Sequence, residues 1–175
     1  MLRRLCGVAV ILFTFLGPGS SLAVQQQGDG WEPYRSERFG YSFFFPSALL
    51  QLRERSPDGD RVEFISADGQ TKLKVLSVAN QEKVSPLEYR AMIMRELHGA
   101  NIKYEPAGRS WFVLSGVRGP SIYYQKVMFA CGGRIINAFS ITYPEPERRS
   151  YDAIITSIEK SFRPASGPIC NTGTG

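Results

Sequence analysis

The sequence predicts an α+β domain, an antiparallel β-sheet of about six to eight strands covered by two amphipathic helices. Three observations carry that expectation. Short apolar–polar alternations succeed one another across turn dipeptides such as Asp58-Gly59 and Asp68-Gly69. Two stretches switch to helical period, Ser85 to Gly99 and Tyr151 to Phe162. The run Ile135 to Ile141 carries apolar side chains on both faces, as a central strand covered from both sides requires.

Residues 1–23 read as an export signal. Arg3 and Arg4 precede an apolar run from Leu5 to Leu16. Gly17, Pro18 and Gly19 then break the helix, and Ser21 and Ala23 place small residues at −3 and −1 of a cleavage site after Ala23. The run is shorter than the ~20 apolar residues that span a bilayer, so the cleaved form is expected not to span a membrane. Only a few residues precede Cys6, and the apolar region follows it instead of leading up to it, which argues against lipidation. Periplasmic or secreted residence follows. Residues 24–33, polar and glycine-bearing from Gln25 to Gly30, form a flexible lead-in; 34–163 form one α+β domain, and 164–175 a tail.

Within the domain, the aromatic run Phe39 to Phe45 is a buried strand stopped by Pro46. Leu50 to Arg55 is a short strand leading into the turn Ser56-Pro57-Asp58-Gly59. Arg61 to Ser66 and Thr71 to Ala79 flank the Asp68-Gly69 hairpin, with Leu73 and Val75 inward and Lys72 and Lys74 toward water. Ser85, Pro86 and Glu88 supply the N-cap, N1 and N3 of a capping box. The helix they open places Leu87, Ala91 and Met94 on its apolar side with Tyr89, Ile93 and Leu97 beside them, and ends near Gly99. Strands then resume at Ile102 to Glu105, Trp111 to Val117, Ile122 to Ala130 and Arg134 to Tyr143. A second helix presents Tyr151, Ile154, Ile155, Ile158 and Phe162 on one side and stops at Pro164.

Composition narrows the function classes. Loss of Arg3 and Arg4 lowers the formal charge from +5 to +3, and the remaining cations are interspersed with acids, which argues against nucleic acid as a partner. Cys131 and Cys170 are the two cysteines left after cleavage, and in an exported chain they read as one disulfide. Closing that loop stabilises the fold by about 4 kcal/mol in the chain-entropy account and ties the tail back to the Cys131-Gly132-Gly133 turn.

No catalytic or metal-ligating constellation is recognisable. His98 is the single histidine and lies just before Gly99, where a ring nitrogen caps helix carbonyls. Asp58 with Asp60, and Glu145 with Glu147, lack the frame of a calcium loop and read as turn acids. Gly116, Gly119 and Gly132-Gly133 fall between strands, where turn geometry accounts for them. No cofactor is expected. Aromatic residues are in surplus: Trp31, Tyr34, Phe39, Tyr41, Trp111, Tyr123 and Tyr124. Tyr123 and Tyr124 point to opposite faces of their strand, and one face, with Trp111 and flanked by Arg118 and Lys126, is the candidate ligand or partner surface. Packing between sheet and helices is the competing role for these rings.

Three segments together carry a family resemblance: R-F-G-Y-S-F-F-F-P at Arg38 to Pro46, S-A-D-G at Ser66 to Gly69, and I-T-Y-P at Ile141 to Pro144 followed by a helix ending I-x-x-S-F-R at Ile158 to Arg163. They resemble small exported bacterial proteins of the PsbP-like fold, named for the extrinsic lumenal subunit of photosystem II. That resemblance spans Tyr34 to Arg163 and implies an antiparallel sheet sandwiched by helices, in a binding or assembly module and not an enzyme. The chain lacks a thylakoid transit sequence, so a photosynthetic role does not follow.

The expectation is a monomeric, non-catalytic exported module that meets a protein or small ligand in the cell envelope. The alternatives are a small hydrolase with an unrecognised carboxylate site, and an envelope-stress or host-interaction factor. Protein recovered after export should begin at Val24 by intact mass and, denatured without reductant, show no free thiol; two titratable thiols would refute the disulfide.

Overall fold

The computed structural model describes residues 30–171. The expected signal, residues 1–23 with its cleavage site, lies outside the described residues, as do 24–29 and 172–175. The described chain runs β1 (Trp31–Arg35), β2 (Ser42–Pro46), β3 (Leu50–Arg55), β4 (Arg61–Ser66), β5 (Lys72–Ala79), α1 (Pro86–Glu96), β6 (Asn101–Tyr104), β7 (Trp111–Arg118), β8 (Ser121–Ala130), β9 (Ile135–Pro144) and α2 (Arg148–Ser161). Seven strands form one antiparallel sheet in the order β3-β4-β5-β9-β8-β7-β6, and β1 pairs with β2 in a separate hairpin. The α+β expectation holds, with a sheet of seven strands and two helices.

Alternation along the strands sorts side chains into two cores. Leu73, Val75, Phe139 and Ile141 face the β1–β2 hairpin and α2, which contributes Tyr151, Ile154, Ile155 and Ile158. Phe112, Leu114, Val127 and Ile136 face α1 through Ile93 and Leu97. β9 lies between β5 and β8, and its apolar side chains are buried on both sides, as a central strand needs. Fully burying side chains of this size stabilises by about 1.5–3 kcal/mol each, so the layers cohere chiefly through these two clusters.

An amide side chain sits inside the first layer. Asn137, fully buried on β9, accepts hydrogen bonds at Oδ1 from the Ser77 hydroxyl at 2.9 Å and from the Ala165 backbone N–H at 3.0 Å. Its Nδ2 donates to the Met128 carbonyl at 3.4 Å. The segment after α2 is thereby tied to the sheet, with Ala165 buried and Cys170 brought to Cys131. The two cysteines are bonded, with Cα atoms 5.0 Å apart. β2 joins the same seam, because Ser42 and Arg163 exchange backbone hydrogen bonds and Phe44 N–H donates to the Ser161 hydroxyl at 3.0 Å.

Two expectations need correction. Residues 31–33, assigned to the lead-in, belong to β1, where Trp31 pairs with Pro46 and Pro33 with Phe44. A proline-bearing segment read alone argues against a strand, and only its pairing with β2 makes it one. Helix α1 starts as expected, with both bonds of the Ser85–Glu88 capping box formed, but it is rotated by roughly a third of a turn from the predicted face. Ile93 and Leu97 are its buried residues, whereas Leu87 is 72% and Met94 41% exposed. The rows 87/91/94 and 89/93/97 each lie along one side of a helix, and the sheet selects the one with Tyr89, whose ring meets Phe129 edge-on. Among the described residues no helix is long and apolar enough to cross a membrane.

Gly116 marks the tightest approach within the sheet, since a Cβ there would lie 2.2 Å from the Asn101 carbonyl oxygen across the β6–β7 pairing. Gly116→Ala should therefore lower stability by about 1–3 kcal/mol and speed amide exchange over residues 101–104. Unaltered denaturation and exchange would show that β6 moves aside freely.

Candidate functional site

The strand register divides the five candidate residues between the two faces of the sheet. Trp111, Tyr124 and Lys126 share the α2 side, because Trp111 pairs with Met128, Val113 with Lys126 and Ser115 with Tyr124. Tyr123 and Arg118 lie on the α1 side, in register with Gly116 and Ser121. Arg118 and Lys126 thus flank different surfaces, a correction to the expectation that both border one groove. Opposite orientation of Tyr123 and Tyr124 does hold, since successive strand residues alternate.

Trp111 is held from two sides. The hairpin before it closes through bonds from Gly108 N–H to the Trp111 carbonyl at 2.8 Å and from Val113 N–H to the Pro106 carbonyl at 2.9 Å. The indole then lies directly on Gly108, where an added Cβ would come within 2.3 Å of Nε1. The Lys126 ammonium sits 5.6 Å from the ring centroid, within cation–π range. Trp111 nevertheless remains 37% exposed.

Beneath it is a charged cluster. Lys126 Nζ lies 2.9 Å from Glu159 Oε1, and the Tyr124 hydroxyl donates to the same oxygen at 2.6 Å. Burial, then the hydrogen bond to Glu159, raises the Tyr124 hydroxyl well above the ordinary tyrosine pKa. Tyr104, 57% exposed at the end of β6, completes the surface, because its strand partner Ser115 is also the partner of Tyr124. On the other face, Tyr123 donates to Gln125 and packs against the α1 core. Its pKa is also raised, first by burial and then by Glu96, while Arg118 opposes.

The remaining singled-out residues take structural positions. Tyr34 stacks with Tyr41 and meets Phe64 edge-on, Tyr41 stacks on Phe162, and Phe39 is buried in the same cluster, to whose edge Trp31 packs. His98 Nδ1 lies 3.1 Å from the Arg95 carbonyl at the end of α1, matching the capping role. Asp60 accepts from the Ser56 hydroxyl at 2.7 Å within its turn, the backbone carbonyl of Asp58 accepts from Arg38 at 2.8 Å, and Glu145 and Glu147 fall in the 3-10 turn before α2. Gly119, Gly132 and Gly133 occupy left-handed turn positions at φ 59°, 68° and 90°.

With this geometry, comparison with known proteins separates fold from function. No protein-family model matches the chain, and no curated protein matches its sequence. Solved structures do match. The cyanobacterial PsbP of Synechocystis sp. PCC 6803 superposes with a TM-score of 0.55 at 12% identity, over 85% of this chain and 98% of that one. The fold is PsbP-like. The Ran-binding protein Mog1p of Saccharomyces cerevisiae gives a TM-score of 0.53 at 10% identity, over 76% and 94% of the two chains, and a Mog1 mutant gives 0.56 at 9% identity, over 80% and 98%. At such identities the PsbP-like likeness concerns the backbone, and no site residue transfers with it.

Glu159, Tyr104 and Gly108 are the members of the Trp111 surface that sequence reasoning missed. Glu159 reads as a solvated helix acid, and nothing in its spacing reveals that α2 lays it over β8. The tyrosines provide a readout. A hydroxyl whose folded pKa is raised adds stability that is complete below the unfolded value, about 10, and is lost as pH climbs through the folded one. In phenolate absorbance, Tyr123 and Tyr124 should ionise later than tyrosines of the denatured chain. Glu159→Gln should bring the Tyr124 transition down and leave that of Tyr123 in place; a Tyr124 that ionises with the denatured chain would contradict the cluster.

Proposed function

We propose that this protein is an exported, non-catalytic binding module of the cell envelope, periplasmic or secreted after cleavage behind Ala23, and that it meets a protein partner through the Trp111 surface. The observation that carries this reading is Trp111 itself, over a third exposed yet clamped between Gly108 and Lys126. A large aromatic already fixed in place loses little conformational freedom when a partner covers it, and tryptophan is prominent among residues that dominate protein interfaces. Tyr104 adds a second exposed ring, and the Lys126–Glu159 pair adds a charged element beside them. The Ran-binding activity of Mog1p supports the choice of a protein as partner, since there the same fold serves protein recognition.

Crosslinking and pull-down from the envelope fraction, with the wild-type chain and Trp111→Ala side by side, tests the reading. A reproducible partner should be captured by the wild type and lost in the variant, consistent with an anchor worth about 2 kcal/mol or more. Equal capture by a folded Trp111→Ala would move the contact elsewhere on the molecule.

A further inference from the structure

We propose that the cleft beside the start of α1 is a separate binding site for a small organic anion, a phosphate or carboxylate group carried on an apolar body. The cleft encloses about 860 Å³ where the β5–α1 loop, the Arg109–Ser110 turn and the β8–β9 turn converge. That volume lies in the range of ordinary small-molecule sites. Phe129, Val84 and Pro86 supply apolar lining, and Lys83, Arg109 and Arg134 supply charge. Among the described residues no acidic side chain lines it.

Four cations elsewhere meet acids: Lys126 meets Glu159, Arg90 meets Glu105, and Arg53 and Lys74 both meet Glu63. Lys83, Arg109 and Arg134 are in no ion pair among the described residues. The acid in the first turn of α1, Glu88, is already engaged by the Ser85 N–H and hydroxyl, each at 2.7 Å. Three like charges around one apolar hollow repel each other, and an anion placed among them relieves that repulsion. Arg134 donates through Nε to the Cys131 carbonyl at 2.9 Å, which orients the guanidinium and leaves its terminal nitrogens for a ligand. A fixed planar fork of this kind suits phosphate and carboxylate.

The walls are built to hold their shape. Asn80 bolts the two main loops together, its Nδ2 donating to the Val84 carbonyl at 2.9 Å and to the Gly133 carbonyl at 2.8 Å while Oδ1 accepts from Val84 N–H at 3.0 Å. The disulfide anchors the second loop at Cys131. Lys83 and Cys131, at φ 53° and 55°, are the two non-glycine residues with left-handed backbone among the described residues, and each belongs to one of these loops. Backbone held in such sparsely populated conformations clusters at ligand sites.

Amide-resolved NMR titration of the disulfide-bonded protein tests the site, with phenyl phosphate, inorganic phosphate and phosphatidylglycerol vesicles as separate probes. Phenyl phosphate should shift resonances of residues 80–86, 109–110 and 129–134 to saturation and, at a pH where both are dianions, bind more tightly than inorganic phosphate, which lacks the apolar body. A Lys83→Gln/Arg109→Gln double variant, altered only at exposed side chains, should keep the wild-type spectrum and lose roughly tenfold or more in affinity. Vesicles that perturb the same residues, and lose the effect in the variant, would assign the anion to a lipid headgroup; binding of phenyl phosphate alone would assign a free molecule. Absence of saturating shifts at millimolar phenyl phosphate with no vesicle effect, equal affinity for inorganic phosphate, or unchanged affinity in the double variant would each overturn the proposal.

Discussion

The buried side chain of Asn137 is the point at which the architecture closes. An amide enclosed on a central strand is costly unless its donors and acceptors are matched, and here its partners come from three parts of the chain: Ser77 on β5, Met128 on β8 and Ala165 beyond α2. Exchange for an apolar residue of similar size would leave the Ala165 N–H without an acceptor in a buried place. Through that N–H the exit from α2 is set, and with it the seam between Arg163 and Ser42 that seats the β1–β2 hairpin. The disulfide thus reinforces a return path that hydrogen bonding already defines.

From that constraint follows the division of labour between the faces. α2, fixed at its carboxyl end by this seam, extends Glu159 over β8 to meet Tyr124 and Lys126, which turns an otherwise packed face into the platform under Trp111. On the opposite face α1 covers one part of the sheet, and its capped amino end borders the cationic cleft. Both surfaces of interest therefore lie where a helix and the sheet meet imperfectly, leaving aromatic or cationic side chains that neither core absorbs.

Much of this was legible in the sequence wherever short-range chemistry decides structure. Ser85, Pro86 and Glu88 announce the start of α1 because a capping box is local, and Asp68-Gly69 announces its hairpin because few other residues accept that backbone. The apolar run of β9 announces a strand covered on both sides. What could not be read depends on distant partners. β1 is a strand only because Phe43–Phe45 lie opposite, and α1 offers two apolar rows, each along one side of the helix, between which the sheet chooses. The candidate site shows the same limit: alternation separates Tyr123 from Tyr124 and Trp111 from Arg118, but it does not say that Lys126 shares a face with Trp111, which the β7–β8 register decides. Nor does any local pattern gather Lys83, Arg109 and Arg134, which three separate turns bring together.

The position of β9 bears on how the sheet can be assembled. The strands on either side form two meanders, β3-β4-β5 and β8-β7-β6, which pair with each other only through β9, the last strand among the described residues. When such a chain emerges amino end first, each meander is left with an open inner edge, at β5 and at β8, until residues 135–144 arrive. Those edges are eight and ten residues long, and their unpaired backbone groups can recruit foreign strands. The seven-stranded sheet is continuous only with β9 in place between those edges, and α2 follows that strand directly in the chain.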